Sequence, residues 1–154
     1  MLVLNDPYPV MPDFSFFQKP YVLPLSLQEY WDNFYSDDGD YFYDKTLLAK
    51  GDKVGSVTNW MDPINDHYKM WSDQKVMQLK EITVEFELPP NPFVRDAWTT
   101  KHLMLLSKTE TSLDVGVIDD QKGFPYATSF DFYERWEIRT TDPRSKQVCV
   151  RHTY

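Results

Sequence analysis

The stretch from Gly123 to Ile138 limits the possible folds most, because it has the alternating pattern of a β-strand. It opens with a turn signal, since Gly123 permits a positive φ and Pro125 lacks an N–H donor. One face of the strand then carries apolar side chains, and the other carries polar or charged ones. The apolar positions are Phe130, Phe132, Trp136 and Ile138, and the polar positions are Ser129, Asp131, Tyr133, Arg135, Glu137 and Arg139. Glu134 is the single carboxylate on the apolar side. The pattern predicts a strand with one buried face and one solvent-exposed or partly covered face.

The chain as a whole divides into two predicted regions. Residues 1–24 contain five prolines among many aromatic residues, which favours an extended N-terminal arm over regular structure. Residues 25–154 form the predicted domain. Ser26 and Glu29 have the spacing of a capping box, and the apolar stripe of Leu27, Tyr30, Trp31 and Phe34 predicts a helix that stops near residues 36–39. A second short helix is predicted from residue 41 to about residue 50.

Strands account for most of the chain after residue 52. We expect a strand at residues 53–61, a loop at 62–74, and a strand in which Ile82, Val84, Phe86 and Leu88 alternate with polar residues. Residues 96–108 and 111–118 predict a hairpin, residues 119–128 a loop, and residues 147–152 a last strand. Helices followed by consecutive strands predict an α+β fold, with N-terminal helices packed on one face of a curved antiparallel sheet.

Charge and composition exclude several classes of function. The net charge of −8 argues against non-specific nucleic-acid binding and against a polybasic contact with anionic lipid. No apolar run approaches the ~20 residues that a membrane-spanning helix needs. We therefore expect peripheral membrane association only through other segments or partners. The single cysteine, Cys149, forms no internal disulfide and is compatible with a reducing compartment.

The sequence offers little that resembles an active site. None of the three histidines has a second His or Cys at metal-ligand spacing, and there is no phosphate-binding glycine loop. We therefore predict no catalytic residues, no metal and no cofactor. Glu134 is the exception worth following, because an inward-facing carboxylate must be paired or protonated. A structural ion pair is one interpretation, and a polar group that fixes the head of a ligand is the other.

Three segments resemble the VASt domain, a StART-like lipid-binding family. The first is Asn33-Phe-Tyr-Ser-Asp-Asp38 followed by Phe42, and the second is Trp60 followed by the strand from Lys80 to Phe86. The third is Phe124-Pro-Tyr-Ala-Thr-Ser-Phe130 followed by Tyr133-Glu-Arg-Trp136, which is similar to a Val-Pro-Tyr-Gly-Asp-x-Phe segment of the family. Ala127 and Thr128 replace the Gly-Asp of that segment. The resemblance covers about residues 21–152.

The resemblance implies a helix-grip fold and non-catalytic binding of a sterol or another apolar lipid, as in lipid transport at membrane contact sites. The location implied is intracellular, at the cytosolic face of organelle membranes. The ligand, a sterol or a phospholipid, would lie between the first helix and the concave face of the sheet. The residues that would line this lipid-binding site are Phe34, Trp60, Val84, Phe86, Phe130, Phe132, Glu134 and Trp136. The family's long closing C-terminal helix has no counterpart before Tyr154.

Two alternatives stay open. The chain could be a structural or accessory subunit of a larger assembly that uses the same fold for protein interaction, with its aromatic arm docked on a partner. The second alternative is an enzyme acting on a small hydrophobic substrate, with Glu134 or His102 as the base. For each of the proposed lining residues, simple packing in the core is a further interpretation.

Overall fold

The structure consists mainly of antiparallel β-strands. The computed structural model describes residues 19–39, 53–63, 69–71, 74–86, 97–123 and 132–153, without the side chains of Met70, Trp71 and Phe86. In chain order the elements are β1 (Tyr21–Leu23), α1 (Leu27–Phe34), β2 (Lys53–Val57), β3 (Met70–Trp71), β4 (Gln74–Lys75), β5 (Gln78–Phe86), β6 (Ala97–Lys108), β7 (Ser112–Lys122), β8 (Phe132–Arg139) and β9 (Val148–Thr153).

Seven of these strands form one antiparallel sheet, in the order β1-β9-β8-β7-β6-β5-β2. From β5 to β9 each strand lies beside the next one in the chain, so the centre of the sheet is a simple meander. β1 and β2 join at the two edges. Within the described ranges, β3 and β4 pair with each other as a separate two-stranded ribbon.

The predicted α+β helix-grip fold is wrong. The described residues hold a seven-stranded sheet and one helix of eight residues, so the structure is mostly β. The prediction treats two N-terminal helices as one half of the architecture. The described helix has only eight residues, whereas β6 and β7 alone contribute 12 and 11 residues. The second predicted helix, at residues 41–50, lies outside the described residues, as do residues 1–18 of the predicted arm.

α1 begins where its sequence predicts. Ser26 Oγ accepts a hydrogen bond from the backbone N–H of Glu29 at 3.1 Å, and Glu29 Oε2 accepts one from the N–H of Ser26 at 2.7 Å. This reciprocal pair confirms the capping box, which satisfies two backbone donors that a helix start leaves open. The helix ends at Phe34, slightly before the predicted stop.

α1 packs on one face of the sheet, which we call the α1 face. Leu27 and Tyr30 of the helix, and Tyr35 just after it, are buried against apolar side chains of five strands. Those side chains are Ile82, Val84, Leu103, Leu105, Leu113, Val115, Val117, Ile138, Val148 and Val150. Burial of this apolar area, at roughly 25 cal/mol per Å², is the main force that holds the helix on the sheet.

The opposite face of the sheet is also covered over part of its area. Val76, Leu79, Met104 and Leu106 form a second buried cluster there, with Ile118 packed beside it. Because both faces are covered, four consecutive residues of β6, at positions 103–106, are all buried. A strand with one wet face could not show this pattern.

Because both faces of the sheet are partly covered, the polar and apolar sides of β8 do not correspond to an exposed and a buried side. The predicted alternation is present, but Arg135 and Glu137 on its polar side are 2% and 0% exposed, while Phe132 on its apolar side is 47% exposed. Alternation assigns side chains to two faces, and the neighbouring elements decide which stretch of each face is covered.

Other strand boundaries differ in instructive ways. The β6–β7 hairpin is confirmed, with its turn at residues 109–111. β7 continues to Lys122, so the predicted loop at 119–128 begins at least four residues too early. The predicted loop at 62–74 contains the short strand β3 and the start of β4. Gly123 has φ 85°, which confirms the positive φ expected of it.

Candidate functional site

Six of the eight side chains predicted to line a lipid site are described, and these six separate into two groups. Phe130 lies outside the described residues, and Phe86 ends β5 with a side chain that is not described. Phe34, Trp60 and Val84 belong to the packed core beneath α1. Phe132, Glu134 and Trp136 lie together on β8, along the α1 face.

The first group is occupied by contacts within the protein. Val84 is fully buried in the cluster under α1, and Phe34 and Trp60 pack against that cluster. The Trp60 indole donates a hydrogen bond to the backbone carbonyl of Tyr35 at 2.7 Å and stacks on Trp31, with ring centroids 5.7 Å apart. These three side chains therefore hold α1 and the chain after it against the sheet.

The second group adjoins a set of charged side chains on the same face. In the sheet register Phe132 lies opposite Asp119, which lies opposite Lys101, and Trp136 lies opposite His152. Directly opposed residues point to the same side of a sheet. We call Lys101, Asp119, Glu134 and His152 the polar corner. Their side chains are 14%, 13%, 26% and 12% exposed, so all four are mostly but not fully removed from solvent.

Glu134 has two described hydrogen bonds, and both go to the same oxygen. Its Oε2 lies 3.1 Å from Nε2 of His152 and accepts a bond from the Trp136 indole at 3.2 Å. The His152 ring stacks on the Trp136 ring with centroids 3.9 Å apart and planes inclined by 10°. The hydrogen bond with His152 holds the pKa of Glu134 below its ordinary value in spite of burial. The inward carboxylate thus has the partner that its position requires.

Lys101 and Asp119 form the other half of the corner. Lys101 Nζ donates to both carboxylate oxygens of Asp119, at 2.9 and 2.8 Å. Burial nevertheless raises the pKa of Asp119, because desolvation outweighs the attraction of Lys101. We take this as the cost of placing a carboxylate on a largely apolar face, since an ion pair recovers only part of the lost hydration.

Sequence reasoning finds Glu134 and misses the other three members. The sequence pattern places Asp119 in a turn with Asp120, because it predicts that the strand before them ends at residue 118. For His152, the sequence indicates only its metal-ligand spacing, and spacing does not reveal the partner of this side chain. The signal that could find His152 is the register of the last two strands, which sets it opposite Trp136.

The opposite face of β8 carries a different and more deeply buried set of charges. Arg151 donates to Glu137 Oε2 from Nε at 2.6 Å, and Asp114 pairs with Arg139 and with Arg135, the latter at 3.3 Å. Arg135 Nε lies 3.7 Å from Glu137 Oε1. These pairs cross three neighbouring strands, and each charge has an opposite charge within reach. We interpret the network as structural, because its pairs link opposite charges across neighbouring strands of the sheet.

The two residues considered as catalytic bases lie on opposite faces of the sheet. His102 is paired in register with Glu81 and Ile118, away from α1, and its Nδ1 lies 3.1 Å from Glu81 Oε1. Glu134 lies on the α1 face. A single substrate could therefore not contact both groups, and the polar corner is the better candidate site of the two.

Two features are absent from the described residues. No group of three or more His, Cys, Asp or Glu side chains among them could hold a metal ion. No helix within the described ranges is long and apolar enough to cross a membrane.

Comparison with known proteins adds no family to this description. No protein-family model matches the sequence. No curated protein sequence matches it either. The described residues define an antiparallel β-sheet domain with one helix on one face and a partly buried polar corner on that same face.

Proposed function

We propose that the protein binds a sterol or another apolar lipid, without catalysis, on the α1 face at the polar corner. One observation carries the proposal: apolar and ionisable side chains adjoin on a face that is otherwise hydrophobic core. Phe132 is 47% exposed there, and Trp136 packs against the core beside Glu134. Binding sites for small amphiphilic molecules combine largely apolar walls with a few placed polar groups.

The expected energetics favour an apolar ligand. Covering an exposed aromatic ring removes apolar surface from water at roughly 25 cal/mol per Å², before the costs of association. Lys101 and Asp119 already satisfy one another, and His152 is paired with Glu134, so the corner offers few additional hydrogen bonds. A highly polar ligand would find few partners, whereas a large apolar body with one small polar group would lose little by leaving water.

Native mass spectrometry of the full chain tests this proposal. The chain is incubated with phosphatidylcholine vesicles that contain cholesterol, separated from them, and measured before and after organic extraction. We expect a one-to-one complex whose extra mass is that of cholesterol or of the phospholipid. A chain that stays monomeric and carries neither lipid at saturating vesicle concentration would contradict the proposal.

A second candidate function is an accessory subunit of a larger assembly. It is favoured by exposed apolar side chains on the edge strands, namely Tyr21 and Val22 on β1 at 40% and 43%, and Val57 on β2 at 39%. Edge strands present backbone groups that another chain can pair with. Isolation of a stable complex in which Val22→Lys abolishes assembly would favour this candidate over lipid binding.

A further inference from the structure

Glu134 has one carboxylate oxygen in use and one without a described partner. Oε2 accepts from Trp136 and interacts with His152, whereas no hydrogen bond among the described residues reaches Oε1. The side chain is 26% exposed, the most open of the four members of the polar corner. Oε1 can therefore accept a hydrogen bond from a molecule placed against β8.

The charge of the polar corner limits which molecules can bind there and donate to Glu134 Oε1. The corner contains one ammonium group, two carboxyl groups and an imidazole that is charged only when protonated. With both carboxyl groups ionised, its net charge is zero or negative. A carboxylate or sulfate would meet two carboxylates and only one fixed cation, which already gives its two short bonds to Asp119. An anionic head group is disfavoured by like-charge repulsion in a site with reduced exposure to water.

The head group must also be a hydrogen-bond donor. An ionised carboxylate only accepts hydrogen bonds. A ketone or ester carbonyl facing Oε1 would place two acceptors together, while a hydroxyl would donate to it. Bonds to an ionised acceptor are shorter and stronger than bonds between neutral groups.

We propose that the polar corner selects lipids whose polar end is an uncharged hydroxyl, which donates to Glu134 Oε1, over lipids that end in a carbonyl or an anion. The inference rests on the proposed function, because it names the head group of the ligand bound at that same site. The apolar body of the ligand lies along Phe132 and Trp136.

A panel of sterols with one ring skeleton tests this inference on the full chain. The probes are cholesterol with its hydroxyl, cholest-4-en-3-one with a ketone, and cholesteryl sulfate with an anion. Each sterol is titrated into the protein, and binding is followed by the change in tryptophan fluorescence. We expect cholesterol to bind about 10- to 100-fold more tightly than the ketone, the range that one hydrogen bond to a charged group supports. Cholesteryl sulfate should bind more weakly than cholesterol.

Two variants then locate the selectivity. Glu134→Gln keeps the shape of the side chain but gives it a donor as well as an acceptor, so its preference for cholesterol over the ketone should fall to about threefold or less. Glu81→Gln is the matched control, because Glu81 also pairs with a histidine at 3.1 Å but lies on the opposite face. Glu81→Gln should keep the wild-type preference.

The possible failures are distinct. If the wild type binds the alcohol and the ketone equally, or if Glu134→Gln keeps the full preference, the inference about the head group is overturned while lipid binding stands. If no sterol of the panel binds, sterol binding is overturned and the selectivity with it. Thermal unfolding of each variant shows whether a loss of binding comes from a loss of fold.

Discussion

The imidazole of His152 lies almost parallel to the indole of Trp136, and both rings donate to or pair with the same oxygen, Oε2 of Glu134. Trp136 and Glu134 belong to β8, and His152 belongs to β9. The three side chains thus tie the two strands together on the α1 face. A carboxylate that would otherwise weaken an apolar face becomes part of its packing.

This relationship predicts how stability depends on acid. The pKa of Glu134 is lowered in the folded protein, chiefly by His152, from an ordinary value of 4.5. A lowered pKa means that the ionised group stabilises the fold above pH 4.5, and that this contribution is lost as the pH falls through the lowered value. Glu134→Gln should therefore be less stable than the wild type near pH 6, with a difference that shrinks as the pH falls below 4.5.

Urea unfolding at a series of pH values measures that difference directly. Because Glu81 lies on the other face and pairs with His102, Glu81→Gln provides a control for general effects of removing a carboxylate. A difference between wild type and Glu134→Gln that is the same near pH 6 as below pH 4.5 would contradict the prediction.

The buried network on the opposite face predicts a larger loss of stability. Glu137 is 0% exposed and takes two bonds from Arg151, at 2.6 and 2.5 Å. Glu137→Gln removes the carboxylate charge that faces Arg151, and breaking a buried ion pair by removing one partner typically costs about 3–5 kcal/mol. Glu85→Gln, at an exposed position of β5, should change the free energy of unfolding by less than about 0.5 kcal/mol. Similar values for the two variants in urea titrations would refute the network's role.

The Lys101–Asp119 pair gives a prediction with a pH dependence of opposite sign. Removing the ammonium in Lys101→Met leaves Asp119, whose pKa is already raised by burial above its ordinary value of 3.8, without its partner. A raised carboxyl pKa destabilises the fold as the pH rises above 3.8. The variant should lose about 1–3 kcal/mol near pH 7 and less near pH 4.

The double variant Lys101→Met/Asp119→Leu completes this test. Replacing a whole buried pair by apolar side chains is often neutral, so most of the loss should be recovered. The cycle of wild type, both single variants and the double variant gives the coupling free energy between the two residues. If the double variant is as unstable at neutral pH as Lys101→Met alone, the predicted recovery of stability is wrong.

How far the sequence can predict the structure differs between local and long-range features. The capping box at Ser26 and the β6–β7 hairpin are predictable, because hydrogen-bond donors and turn residues a few positions apart decide them. The overall balance of helix and strand is not predictable from these local signals. The α+β prediction rests on N-terminal helices, but the described helix has eight residues and β6 alone has twelve. That error is one of global arrangement, which local patterns do not fix.

The candidate site is predictable only in part for the same reason. Glu134 stands out because it interrupts an alternating apolar face. Its partner His152 is 18 residues away along the chain and becomes a neighbour only through the β8–β9 register. Burial of Arg135 and Glu137 depends on what covers the second face, and period-two patterns contain no such information.

The helix start offers a separate test of local stabilisation. Ser26→Ala removes the acceptor for the N–H of Glu29 and should cost about 1 kcal/mol. Glu29 also pairs with Lys146, and this contact together with the hydrogen bonds to Ser26 lowers the pKa of Glu29 to about 2, but the side chains of Glu29 and Lys146 are 46% and 72% exposed. Lys146→Ala should therefore change stability little, and less than Ser26→Ala does. Equal losses in chemical denaturation would mean that the cap contributes no more than the surface pair.

The central claim, that lipid binds on the α1 face beside the polar corner, depends most directly on two adjacent residues of β8. Phe132 and Tyr133 have similar exposures, 47% and 42%, but their side chains belong to opposite faces of the sheet. The decisive measurement is retention of cholesterol, by native mass spectrometry, in Phe132→Asp and in Tyr133→Asp. We predict that Phe132→Asp loses the bound sterol and that Tyr133→Asp retains it, with both variants folded. Retention by Phe132→Asp, or equal loss by both variants, would contradict the account.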